Sequence, residues 1–306
     1  MNSITLDSTV LLVGHGSRNS EGNREIERFA SSWREQNPNW HIETCFIEFA
    51  DVLLDAGLDR AAKHAANKSK KVIVVPLILN AAGHVKIEIP QFIEQARLRH
   101  PGIQFNYARH LGANDAILMV LKRALGKVMA ALDMPDPKTT GVIILGRGSS
   151  DRVANGEIAK MARWLYEESD HEHIDIAFTG ITYPRLERVL QQQVALGITQ
   201  IAILPYYLFP GTLIERIKRQ VVRLQSQYPQ LAIKCGSYFG FEKEIYALLN
   251  SRALQAAGKT GEAESNMMEC DGCRYKEAGI HAHAHGHEHH HHHHHFHTEE
   301  SDKVTA

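Results

Sequence analysis

Two histidines have neighbours suited to chemistry. His15 lies in the run GHGS and His84 in AAGHVKIEIP, each beside a glycine and each just after an apolar run. An imidazole is neutral near pH 7, so it can bind a metal ion or accept a proton without a large change of pKa. The glycines allow close backbone approach and leave each ring accessible. Glu88, four residues after His84, and Glu48, at the end of another apolar run, are candidates for a second base or a solvent relay. Their alternative readings are a helix-start carboxylate for Glu88 and a solvated charge for Glu48.

These residues need a frame, and the apolar pattern supplies one. Runs rich in β-branched residues alternate with stretches of helical period, which predicts an α/β fold with a parallel sheet covered by helices on both faces. Strands are expected over residues 9–13 (TVLLV), 42–49, 71–79 (KVIVVPLIL) and 104–108. Helices are expected over 23–35, 53–67, from about Pro90 and over 115–132, with a loop at 80–86. In open α/β sheets ligands sit beyond the carboxyl ends of the strands. Both histidines fall there.

The series then repeats. After the proline-bearing linker DMPDPKTT, the stretch GVIILGRGSSDRVANGEIAKMARWLYEE resembles TVLLVGHGSRNSEGNREIERFASSWREQ. His15 to Pro76 spans 61 residues and Arg147 to Pro205 spans 58, and a single deletion of three residues accounts for the difference. Internal duplication follows. The expected organisation is a first half (1–134) carrying the active site, a degenerate second half (140–254), and a flexible metal-binding tail (255–306) without apolar period. The second half departs from the first where it matters: Arg147 replaces His15, and Thr212 or Leu213 falls where His84 would be.

Composition excludes several classes. With 306 residues, 43% hydrophobic and 23% charged, the chain can bury a large core. A net charge of -1 gives no footprint for nucleic acid. No run of about eighteen apolar residues occurs, and residues 1–9 lack the pattern of a secretory signal, so a cytoplasmic protein without membrane contact is expected. Four cysteines (Cys45, Cys235, Cys270, Cys273) are too few for a disulfide framework, and the CxxC points to metal or redox chemistry.

On the runs LLVGHGSR and VVPLILNAAGHVKIEIP and on the duplication, the chain resembles the sirohydrochlorin chelatases of the cobaltochelatase type, within the class II tetrapyrrole chelatases. The resemblance covers roughly residues 8–250. It implies two similar lobes, a macrocycle in the cleft between them, and insertion of Co²⁺ in cobalamin synthesis with no nucleotide energy source. It also implies that His15 and His84 bind the incoming metal and help remove pyrrole protons; Glu88, from its spacing to His84, is the further catalytic candidate. The carboxylates of sirohydrochlorin call for cations, and Arg18, Lys86, Arg147 and Arg152 lie in or near the relevant loops. A homodimer is left open.

The tail carries two further signals. Met268 to Cys273 gives an MxCxxC that resembles the iron–sulfur motif of long members of this group; Cys270 and Cys273 supply two of the four ligands of a [4Fe-4S] cluster, so others must contribute. A zinc or cobalt site, or a redox pair, is the alternative. Twelve of the chain's 20 histidines lie between His281 and His297, a composition that favours Co²⁺, Ni²⁺, Cu²⁺ and Zn²⁺; the run is similar to the long histidine tails of the cobalt-associated long members of the family, and that resemblance ranks cobalt over iron. Two rivals stand beside the cobaltochelatase reading. One is a sirohydrochlorin ferrochelatase, and the other a metal-storage or metallochaperone protein, which separation of His15 from His84 would favour.

Overall fold

The computed structural model describes residues 6–259. The first half runs β1 (Thr9–Gly14), α1 (Ser20–Gln36), β2 (His41–Phe46), α2 (Leu54–Ala66), β3 (Lys71–Pro76), α3 (Ile89–Arg99), β4 (Gln104–Tyr107) and α4 (Asp115–Met129). The second repeats it as β5 (Thr140–Gly146), α5 (Arg152–Glu167), β6 (His173–Phe178), α6 (Leu186–Ala195), β7 (Gln200–Pro205), α7 (Thr212–Gln227), β8 (Ala232–Cys235) and α8 (Lys243–Ala256). The sheets are ordered β2-β1-β3-β4 and β6-β5-β7-β8, and every pairing is parallel. The expected α/β class and duplication are both present. Strands β1 and β5 are buried along their whole length, as the continuous apolar runs require of strands covered on both faces.

Two local differences from the sequence reading bear on the site. The strand expected over 71–79 stops at Pro76, and the segment expected as a loop becomes a π-helical turn, His84–Glu88, that runs directly into α3. Pro90 sits in the first turn of α3, where its missing N–H costs nothing. π-Turns are rare and concentrate at functional sites.

The halves share one core and exchange their last helices. The outer face of each sheet has its own apolar layer, Leu58, Val74 and Ile93 in the first and Leu190, Ile203 and Ile217 in the second. The inner faces meet in a common core that includes Leu12, Phe29, Trp33 and Val75 together with Ile144, Met161, Leu204 and Leu249. Helix α8 belongs to the second series by sequence but packs on β3 and α1. The Phe29 and Tyr246 rings stack at 4.3 Å, Trp33 Nε1 donates to Asn250 Oδ1 at 2.7 Å, and Asn106 Nδ2 donates to the Ala256 carbonyl at 2.7 Å. Reciprocally, α4 packs against β7. The helix therefore runs past the boundary expected at 254, because its last turn is tied to the first half.

That exchange predicts coupled stability. Leu249 is fully buried in the common core, so Leu249→Ala should cost about 2–5 kcal/mol in urea unfolding and should lower both halves in one transition. A loss within about 0.5 kcal/mol, the range of surface changes, would mean that α8 is not held by this core.

Candidate metal centre

Neighbouring parallel strands bring the histidines together. In the β1/β3 register Val13 lies opposite Pro76, so the segments after both strands leave the same edge of the sheet. His15 follows β1 directly, and His84 opens the π-turn after β3. Their rings meet edge to face with centroids 4.6 Å apart. The backbone that allows this is specific: Gly16 has φ +89°, and a Cβ there would lie 1.7 Å from the Glu48 carbonyl oxygen. Hydrogen bonds from Ile47 N–H to the Gly14 carbonyl and from Glu48 N–H to the His15 carbonyl then lay Glu48 beside the first loop.

His15, Glu48 and His84 each offer a ligand atom, and these atoms lie within 4.8 Å of one another; among the described residues they are the one such trio. The network assigns the tautomers. His84 Nδ1 donates to Glu88 Oε2 at 2.6 Å, which leaves Nε2 as the free lone pair. His15 Nδ1 donates to the Gly16 carbonyl at 3.0 Å, with Glu48 Oε1 at 3.5 Å. Its Nε2 accepts from Arg147 Nη1 at 3.4 Å. Both Nε2 atoms therefore present the form that binds a metal ion, each fixed by a partner on Nδ1. Both side chains are about one-third exposed, His15 at 32% and His84 at 34%, so the centre opens to solvent.

Burial holds the His15 pKa below 6.5, His84 and Arg147 add to the lowering, and the Gly16 hydrogen bond and Glu48 act the other way. The neutral, ligating form thus persists at lower pH than in a free histidine. The same shift makes His15 a group whose protonation opposes folding below its unfolded pKa.

The remaining expected residues divide. Arg147 reaches the centre from the second half, and exposed Arg18 lies over the Phe49 ring at 4.9 Å, in the loop after Glu48. Lys86 instead pairs with Asp151 of the second half at 2.5 Å, both largely buried. Arg152 is exposed at the start of α5. Cys270 and Cys273 lie outside the described residues. Sequence reasoning missed Asp151 and also Glu157, which accepts from the Ala81 N–H at 3.2 Å and pairs with His110 at 2.9 Å, tying the loop before His84 to the second half. Neither contact leaves a mark in a linear pattern, since each depends on how the halves face each other.

Two variants test the electrostatics. Arg147→Ala removes a lowering influence, so the His15 pKa followed by NMR titration should rise toward 6.5. Glu48→Gln removes a raising influence and should move it further down. Opposite signs would mean that these groups do not face His15 in solution.

The CbiX family matches this sequence twice, over residues 9–128 and 141–256. A sirohydrochlorin cobaltochelatase of Priestia megaterium is 36% identical over 88% of this chain and 84% of its own. A sirohydrochlorin ferrochelatase of Bacillus subtilis is 27% identical over 89% of this chain and 99% of its own. The structure of SirB from Bacillus subtilis with Fe³⁺ superposes with a TM-score of 0.72 at 25% identity, covering 85% of this chain and 98% of that one. With both halves matched, the chain belongs to the CbiX family and carries its unit in duplicate.

Proposed function

We propose that the protein is a sirohydrochlorin cobaltochelatase, which inserts Co²⁺ into sirohydrochlorin for cobalamin synthesis. The observation that carries the reading is the meeting of His15 and His84, whose imidazole nitrogens and the Glu48 carboxylate offer three ligand atoms to one ion. Cobalt over iron is supported by the higher identity to the cobaltochelatase relative than to the ferrochelatase. The histidine-rich run at 281–297 supports it too, as a segment able to concentrate Co²⁺ near the site. The same ligands accept Fe²⁺, so ferrochelatase is the second reading. Storage without catalysis needed no shared site for the two histidines, and they share one.

Insertion exchanges two pyrrole protons for one dication. Imidazole and carboxylate ligands hold Co²⁺ less strongly than four inward nitrogens of a macrocycle do, so transfer runs downhill. As the ion leaves, each imidazole regains its lone pair and can take the proton that a pyrrole N–H loses. At His84 the Glu88 carboxylate holds the ring through Nδ1 and keeps Nε2 turned toward the site. Arg147 from the second half and Arg18 from the loop after His15 answer the carboxylated rim. Lys86 serves that rim only through its pair with Asp151, which braces the π-turn.

The catalytic unit is a single cytoplasmic chain, with the second half supplying Arg147 and the brace; a homodimer is not needed to complete this site. A [4Fe-4S] cluster at Cys270 and Cys273 would need two further ligands, and no step of this chemistry passes through it.

The test is metal insertion followed by tetrapyrrole absorbance with Co²⁺, Fe²⁺ and Ni²⁺. His15→Ala and His84→Ala should each lower cobalt insertion about 100-fold or more, with tetrapyrrole binding retained. Arg147→Ala should instead raise KM about tenfold, the weight of one charge-assisted contact, with a smaller effect on kcat. Active histidine variants beside a dead Arg147→Ala would place the centre in the wrong half, and faster turnover with Fe²⁺ would favour the ferrochelatase.

A further inference from the structure

Four non-glycine residues among those described have positive φ, and two of them occupy the same place in the two halves. Phe49 (φ 55°) stands three residues beyond Phe46 at the end of β2, and Ile181 (φ 61°) three beyond Phe178 at the end of β6. A bulky or β-branched side chain in the left-handed region is strained, and such strain persists only where the surroundings impose it. Here they do. Asn23 Nδ2 donates to the Phe49 carbonyl at 2.6 Å while its Oδ1 accepts from Ser17 N–H. Gly180 N–H, next to Ile181, donates to the Arg147 carbonyl at 3.0 Å.

Packing does not explain these residues, because Phe49 is 45% and Ile181 57% exposed. The strain turns two large apolar side chains outward, one just beyond Glu48 of the centre and the other just beyond Gly180, whose carbonyl faces Gly148 as that of Glu48 faces Gly16. Each has a cation close by. Arg18 lies over Phe49 at 4.9 Å, and Arg185 lies over Tyr183, two residues past Ile181, at 4.6 Å. Each half thus presents an apolar surface with a guanidinium at its edge, beside the same pair of strand-end loops. A planar ring with apolar faces and a carboxylated rim is the ligand that matches both.

We propose that Phe49 and Ile181 are the two apolar contacts that carry the face of the tetrapyrrole over the metal centre, with Arg18 and Arg185 holding carboxylates at opposite sides of its rim. The inference rests on the tetrapyrrole reading given above and names the residues that orient the ring. They touch the substrate face and neither bind metal nor move protons.

The strain itself supplies the control. Glycine adopts positive φ freely, so Phe49→Gly and Ile181→Gly remove the contact and the strain together. In the full chain, each should weaken sirohydrochlorin binding about tenfold in a metal-free absorbance titration, the scale of one apolar side chain leaving a contact. The double variant should lose more. The thermal midpoint should hold or rise. Phe49→Leu, which keeps an apolar side chain there, should bind within about threefold of the parent. Unchanged binding in the double variant overturns the inference, and so does loss of binding that tracks a falling thermal midpoint, because the residues would then be structural. Failure of the parent chain to bind sirohydrochlorin would overturn the proposed function and this inference with it.

Discussion

The site depends on β1 and β3 being neighbours. In the order β2-β1-β3-β4 the chain steps outward from β1 to one side and from β3 to the other, so the loops after these two strands diverge above the sheet and leave a crevice between them. Each side chain that offers a ligand atom to the candidate centre comes from that crevice or its rim: His15 after β1, His84 after β3, Glu48 after β2. Had β1 and β3 been separated by one strand, about 5 Å would have been added between the loops, and no shared ion could bridge the rings. The inward-facing core is what fixes this spacing, since Leu12 and Val75 on the two strands are buried in the layer that also holds α8 and the second sheet.

Duplication explains both the likeness and the asymmetry. Gly148 has φ +84° and faces the Gly180 carbonyl as Gly16 faces that of Glu48, and Asn155 holds Ser149 as Asn23 holds Ser17. The loop geometry has been kept where the imidazole has not. With Arg147 in place of histidine, the second half cannot ligate a cation, but it delivers a guanidinium to the first half's centre. An Arg147 N–H and a metal ion compete for the same lone pair on His15. The fixed positive charge also opposes a dication at that atom. Substrate carboxylates that draw the guanidinium away would relieve both conflicts.

Much of this was legible in sequence because it is local. Glycine beside histidine after a strand marks an accessible imidazole at a strand end, and the fourfold alternation of strand and helix marks the sheet that brings two such ends together. Glu88 was legible as a carboxylate near His84, but its role followed only from the π-turn, which sets residues 84 and 88 one above the other. The exchange of α4 and α8 was not legible. An amphipathic helix shows the same apolar stripe whichever sheet it covers, so Leu249 could not announce that it packs beneath the first half. The same holds for Lys86 with Asp151 and for Glu157 with Ala81: opposite charges or a donor and acceptor far apart in sequence become partners only when the halves are oriented.

Those inter-half contacts have a physical consequence for the chemistry. The π-turn is the least regular part of the first half, and a helix with i to i+5 bonding has no intrinsic preference to form over an α-helix. It is held from outside, by the largely buried Lys86–Asp151 pair at one residue and by the Glu157 carboxylate on the Ala81 N–H at its approach. Removing one partner of a buried pair leaves an uncompensated charge and is more damaging than the pair is stabilising. The second half therefore contributes to the centre even without an imidazole: it sets the position of His84, and with it the separation of the two imidazole rings.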